Sequence, residues 1–240
     1  MDDQLKKFRD RLRITLILYT FSKPIQKEGN TDIARVFYTE IKIQALDFLL
    51  RYPDFLSCEL MDLMANDNNI NKSEIQSIIK EIYTNEEPIL RVEEMQKFFF
   101  GAYESIDGVI LFLKSVGFVD FESKRRSDLQ TYDKTYYITN RCIQQIENNL
   151  LNIPSVKWYY DRCELIKKYF DNFNGSDLKK RQYRYKEYAD IPYTMLIQNL
   201  NEQVRKSYHE HFNELLPWRT ISIIKILSSM FINSFLIHFR

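Results

Sequence analysis

The sequence predicts a mainly α-helical protein with one small β-hairpin. Three observations lead there. Glycine is scarce, 5 in 240 residues with 6 prolines, which favours helices over a loop-rich or all-β fold. Apolar residues recur at helical spacing along most of the chain. One stretch, residues 118–139, instead breaks into short alternating runs around a polar loop. With 45% hydrophobic residues the chain can bury a sizeable core, as one large domain or two small ones. The expected organisation is a domain over residues 1–152, a helical extension over 153–216 and a hydrophobic tail over 217–240.

Taken in order, residues 4–21 carry an apolar run (Leu12, Ile14, Leu16, Ile17, Leu18, Phe21) that favours a helix ending before Ser22-Lys23-Pro24. Gly29-Asn30 marks a turn. Residues 32–50 read as one long buried helix, because from Ile43 to Leu50 only Gln44 and Asp47 are polar. Asp47 precedes Arg51 by four residues, the spacing of a helical ion pair. Pro53 forces Tyr52 out of the α region and can open the next helix, since that position needs no N–H. Asp47, Arg51, Tyr52, Pro53 and Asp54 therefore form a structural corner between two helices. Leu56, Leu60, Leu63 and Met64 share one face of the second helix, which ends before the loop Asn66–Asn69.

Asn71 stands three residues before Glu74, close to a capping box, and Ile75, Ile78, Ile79 and Ile82 come next at helical spacing. Residues 89–103 fit neither period. Ile106, Val109, Ile110 and Leu113 form a further helix stopped at Gly117. Residues 118–121 alternate like a strand, 124–133 are polar, and 135–138 are β-rich. Thr139 is placed to cap the helix carrying Ile143, Ile146 and Leu150. This order matches the second half of a winged helix–turn–helix, with the hairpin as wing and the helices at 74–83 and 105–116 as the helix pair. After Pro154 come a helix containing Trp158, Cys163 and Phe170, a turn at Gly175, and a basic, tyrosine-rich segment. Residues 193–216 read as a long amphipathic helix whose seam (Ile197, Leu200, Val204, Tyr208) is suited to packing on another helix.

Chemistry-bearing patterns are few. His209 and His211 are two residues apart and would point to different sides of a helix, so they are poorly placed to share a metal ion. Cys58, Cys142 and Cys163 are dispersed and odd in number, which fits a reducing compartment and no disulfide framework. Nothing resembles a phosphate-binding glycine loop. Pro53-Asp54 could begin a carboxylate-nuclease pattern, but Glu40-Ile41-Lys42 lies before it, on a predicted helix. No catalytic residue, metal or cofactor is expected. The net charge of +1 gives no global field towards nucleic acid. Two local basic patches remain. Lys124, Arg125, Arg126, Lys134 and Arg141 cluster at the predicted wing, where phosphate contact competes with ordinary solvated charge. Lys179, Lys180, Arg181 and Arg184, interleaved with Tyr183 and Tyr185, suit an acidic partner and join the apolar seam as candidate partner-binding residues.

Residues 221–239 are rich in Ile, Leu, Phe and Met but interrupted by Lys225, Asn233 and His238. A terminal helix docked on this chain or on a partner is the first expectation. A membrane anchor is the alternative, weakened by the polar interruptions. A third is a natural chain with a different C-terminal boundary.

The stretch from Ile43 to Asp54, the 117–139 wing, Trp158-Tyr159-Tyr160-Asp161-Arg162-Cys163 and Asn174-Gly175-Ser176-Asp177-Leu178-Lys179 together resemble the middle component of bacterial ABC-three-component defence systems, close to the small subunit of Lamassu-type complexes. The resemblance covers roughly residues 10 to 190; the hydrophobic tail departs from it. It implies a cytoplasmic, non-enzymatic subunit that bridges an SMC/Rad50-like ATPase to an effector such as a nuclease, acts against phage or plasmid DNA, and meets DNA through the assembled complex. The alternative from the residues alone is a stand-alone winged-helix DNA-binding regulator. An enzyme of unknown type stands third, supported only by abundant carboxylates and tyrosines.

Overall fold

The computed structural model describes residues 3–97, 105–125 and 131–217, with the backbone alone at residues 3, 124, 125 and 131–133. Helix α1 (Asp3–Phe21) runs through the centre, burying Ile14, Leu16, Ile17 and Leu18. Each such side chain contributes ~1.5–3 kcal/mol on leaving water. A short β1 (Lys23–Pro24) leads to β2 (Ile33–Tyr38), where the sequence pattern predicts the start of a long helix. Ile33, Val36 and Phe37 are buried, and β2 pairs antiparallel with β4 (Thr131–Thr139), Val36 opposite Tyr137 and Tyr38 opposite Thr135. That partner lies about a hundred residues away, so local periodicity could not reveal it. Thr39, at φ 69, turns the chain into the shorter helix α2 (Glu40–Arg51).

Helix α3 (Pro53–Asn66) starts at the proline, as expected, with Tyr52 as the lone residue between the two helices. Asn71 caps α4 (Lys72–Thr84), its side-chain oxygen accepting from Glu74 N–H at 3.2 Å. The reciprocal half of a capping box is replaced by an ion pair from Glu74 to Lys168. A one-turn α5 (Glu87–Leu90) comes next, then α6 (Asp107–Ser115). Helix α4 packs against α3 and α5, whereas α6 packs against α1 and β3 (Val119–Arg125). The two expected members of a helix–turn–helix are therefore not packed as a pair.

Gly117, at φ 74, ends α6: Gly117 N–H donates to Lys114 O at 3.0 Å and Phe118 N–H to Leu113 O at 2.9 Å. The left-handed conformation that satisfies both carbonyls favours glycine. Strands β3 and β4 form the expected hairpin, and pairing with β2 and β1 makes a four-stranded antiparallel sheet in the order β1-β2-β4-β3. Thr139 caps α7 (Asn140–Asn148), accepting from Cys142 N–H at 3.1 Å and donating to Gly117 O at 2.8 Å. It thereby ties the helix start to the strand's entry.

A 3-10 turn (Leu150–Asn152) leads to α8 (Pro154–Phe170), α9 (Gly175–Gln182) and α10 (Lys186–Ala189). Gly175 is needed for close packing: a Cβ there would lie 2.6 Å from Lys42 N on α2. The expected helix over 193–216 is shorter, α11 (Asn201–Phe212). Residues 194–197 are instead held beside 95–97, with Lys97 N–H on Met195 O (3.0 Å), Thr194 N–H on Lys97 O (2.7 Å) and Ile197 N–H on Met95 O (3.1 Å). Backbone pairing fixed at both ends outweighs local helical preference. Helix α1 packs on α8, α2 on α9 and α3 on α11, so one continuous core joins residues on both sides of position 152. The molecule is mainly helical with a small sheet, and no helix among the described residues is long and apolar enough to cross a membrane. The tail over 218–240 lies outside the described residues.

Candidate interaction surfaces

The α2–α3 corner contains a buried charge network. Asp47 accepts from Arg13 Nε at 2.7 Å and lies 3.6 Å from Arg51 Nη1, so the expected helical ion pair forms but takes second place. Arg13, 1% exposed, also pairs with Asp10 at 2.6 Å and with Glu93. Glu93 accepts from the Tyr159 hydroxyl at 2.8 Å. The larger task of Arg51 is elsewhere: its Nε donates to Glu93 O and its Nη2 to Glu94 O, each at 2.8 Å. Tyr52 stacks on Phe48, with ring centroids 4.8 Å apart, and accepts from Met95 N–H at 2.7 Å. The corner thus clamps the irregular segment 93–95 against the helices.

These environments shift the two corner carboxylates in opposite directions. Burial alone would raise Asp47, but Arg13 and Arg51 hold it below the usual carboxylate range. Asp54 rises because burial outweighs the backbone hydrogen bonds it receives, led by that from Leu200 N–H at 2.6 Å. That bond anchors the start of α11. The void beside Arg13 and Asp47 measures about 30 Å³, room for a water and not for a substrate. Sequence reasoning missed Arg13 and Glu93. The signal for Arg13 was present, a cation flanked by Leu12 and Ile14 at the start of the apolar run, with Asp10 three residues before it. A second buried pair, Arg162 Nη2 to Glu87 Oε2 at 2.6 Å, secures α5 to α8 beneath Trp158.

The thiols of Cys58, Cys142 and Cys163 are buried and in no disulfide. Burial pushes all three up, Cys142 to about 12, which opposes thiolate formation at neutral pH. No group of His, Cys, Asp and Glu among the described residues could hold a metal ion.

At the wing, Lys134 pairs with Glu40 and, at 2.8 Å, with Asp107. Arg141 is exposed, its side chain lying over Gly117. Lys124 sits opposite Asp133 and Arg125 opposite Thr131 in the hairpin register, while Arg126 lies outside the described residues. The exposed positions of α6 are Asp107, Gly108, Leu111, Lys114 and Ser115, with Lys114 paired to Asp120 at 2.7 Å. That face offers little positive charge to a phosphate backbone.

The second basic patch turns inward. Arg181 bonds Glu59 and, at 2.8 Å, Asp62; Arg184 reaches Asp62 at 3.1 Å and Glu59 at 3.4 Å. Both fasten the 175–184 segment to α3. Lys180 remains exposed, with Asp177 at 3.7 Å, and Lys179 lies 6.0 Å from the Tyr183 ring. The seam residues Ile197, Leu200, Val204 and Tyr208 are all buried in this chain's own core.

A groove of about 870 Å³ opens between residues 88–94 and 194–201. Pro88, Ile89, Val92, Met195, Leu196 and Ile197 give it apolar walls, Thr194, Gln198, Asn199 and Asn201 a polar end, and Glu94 is the one charged residue among the described residues lining it. Around it Leu90, Tyr193, Met195 and Leu196 stand 56%, 53%, 58% and 46% exposed. Sequence reasoning missed this surface because pairing across about a hundred residues creates it. No family model, no curated protein and no solved structure matches the chain.

Proposed function

We propose that the chain is a non-catalytic assembly subunit of an SMC-like ATPase complex that defends against phage or plasmid DNA, bridging the ATPase to an effector such as a nuclease. The single observation that carries the interaction role is the apolar groove at 88–94 and 194–201, ringed by large exposed side chains. Exposed apolar surface gathered at a groove supports docking of another polypeptide, one of the uses such patches have. Among the described residues the groove's lining holds one carboxylate, Glu94, and no Cys, His, Ser or Lys, and the buried ionisable groups of the corner hold helices together. The resemblance at the 43–54 corner, the wing and the 158–163 stretch supplies the choice of complex. Buried thiols in no disulfide suit the cytoplasm.

Co-expression with an SMC-like ATPase encoded beside this chain tests the proposal. Retention of the pair through size exclusion at micromolar concentration is the expected result; separate elution of the two proteins refutes it.

A second reading, a winged-helix DNA-binding regulator, is favoured by one observation. The strand order β2-β4-β3, with α6 entering the hairpin through Gly117, is the order a winged helix requires. Inward-paired Lys134 and the near-neutral α6 face weigh against DNA binding by the chain alone. Salt-sensitive duplex affinity lost on charge reversal of Lys124, Arg125 and Arg126 would support it; no complex at low salt would exclude it.

A further inference from the structure

Two ion pairs tie α8 to the neighbourhood of α4. Lys168 pairs with Glu74 at the start of α4, and Arg162 pairs at 2.6 Å with Glu87, just past its end. A cavity of about 290 Å³ opens between the helices and shares no lining residue with the docking groove. That is space for ~10 waters, near the lower end of small-molecule sites. Ile78 and Ile82 of α4 and Trp158 and Leu165 of α8 give it apolar walls.

The polar groups lining it are unequally satisfied. Arg162 is 9% exposed; its Nη2 bonds Glu87, but its Nη1 has no hydrogen-bond partner among the described residues. A buried guanidinium donor without an acceptor is costly, so the site favours a ligand that brings one. Glu87 is already engaged, because it also takes the Trp158 indole N–H. Asp161, exposed at the rim, is held by Lys157 at 2.6 Å. Glu81, also exposed there, has no ion pair with any described residue.

These groups narrow the ligand. An anion would satisfy Nη1 but meet three carboxylates, Glu81, Glu87 and Asp161, lining the same cavity. An ammonium would suit Glu81 but leave Nη1 bare, since it has no acceptor. A neutral group with a carbonyl inside and N–H donors at the rim satisfies both, and a flat ring suits apolar walls on two helices. Guanine has this pattern: O6 accepts, and the neighbouring N1–H and 2-amino group can bond both oxygens of one carboxylate. Adenine and uracil each offer only one such donor group. Phosphates would be repelled by the acidic rim, which favours a free nucleoside over a strand.

We propose that the cavity between α4 and α8 binds the base of a free guanine nucleoside, with Arg162 Nη1 donating to O6 and Glu81 accepting from N1–H and the 2-amino group. The site stands apart from the docking role of the groove.

Titration calorimetry of the full chain with nucleosides tests it. Guanosine should bind with Kd below ~1 mM, at least ~10-fold more tightly than adenosine or uridine. Inosine, which lacks the 2-amino group, and 2-aminopurine riboside, which lacks O6, should each bind at least ~10-fold more weakly than guanosine. Glu81→Gln, at an exposed position, should keep Tm within about 2 °C of the parent. It should also weaken guanosine and bring it within about 3-fold of inosine, a change in selectivity that a structural role would not produce. No binding of guanosine at ~1 mM, or equal affinity for guanosine, adenosine and uridine, overturns the proposal. So does a Glu81→Gln chain that still prefers guanosine to inosine as the parent does. A guanine-bearing single strand binding at least ~10-fold more tightly than guanosine would assign the base to a nucleic acid and also overturn it.

Discussion

Replacing Arg51 with alanine tests the corner most severely. Its side chain is 2% exposed and makes two 2.8 Å hydrogen bonds, to the carbonyls of Glu93 and Glu94, besides facing Asp47. Alanine removes two hydrogen bonds from a charged donor to part-buried carbonyl oxygens, worth ~1.5–3 kcal/mol each. Asp47 keeps Arg13, so its loss is smaller than the ~3–5 kcal/mol of an abandoned buried charge. A total of about 4 kcal/mol is expected. For a chain of this size that lowers Tm by roughly 8–16 °C. Urea unfolding gives the free energy directly, and amide exchange reads the clamp: Met95 N–H, held by Tyr52, should lose protection. Arg51→Lys keeps the charge and at most one carbonyl bond, so it should fall between. A Tm within about 2 °C of the parent, with Met95 still protected, would refute the clamp.

Other expectations are as direct. Asp47, held low, stabilises the fold above its ordinary value of 3.8, and this is lost as pH falls through the depressed value. Asp54, held high, acts oppositely: the folded state binds its proton more tightly, so stability falls as pH rises from the ordinary value through the raised one. Asp47→Asn should therefore destabilise at pH 7 and converge on the parent in acid, while Asp54→Asn should gain on the parent as pH rises above the ordinary carboxylate value of 3.8. Parallel pH curves for the two variants would contradict the assignment. Gly175→Ala, placing a Cβ 2.6 Å from Lys42 N, should cost about 2 kcal/mol in urea unfolding; an unchanged midpoint would mean that α9 can shift freely. Native protein should leave its three thiols unmodified by a maleimide that labels all of them in denaturant; rapid native labelling of any would contradict their burial.

Local features were legible in the sequence because local chemistry fixes them. Pro53 breaks the helix whatever surrounds it, Asn71 and Thr139 cap the helices that begin after them, and Gly117 supplies the left-handed turn. The missed features are those made by distant pairing. Residues 33–38 carry an apolar pattern that a helix could also use, and only β4 decides for a strand. Residues 193–199 continue the heptad-like spacing of α11, yet the bonds of 194–197 to 95–97 hold this segment out of the helix. The basic run at 179–184 gave no hint that Glu59 and Asp62, over a hundred residues earlier, would take up Arg181 and Arg184. The groove inherits this blindness, since both of its walls depend on the same pairing.

If this chain works by docking a protein partner in the 88–94/194–201 groove, a single substitution there should disable it. The direct measurement is the affinity of the SMC-like ATPase for the parent and for Leu196→Glu, by titration calorimetry. Leu196 is half-exposed, so the substitution should leave Tm within about 2 °C of the parent, as surface changes usually do. Binding at least ~10-fold weaker at that unchanged stability is the predicted result. Equal affinities for the two proteins, or no binding by the parent, would contradict the docking role.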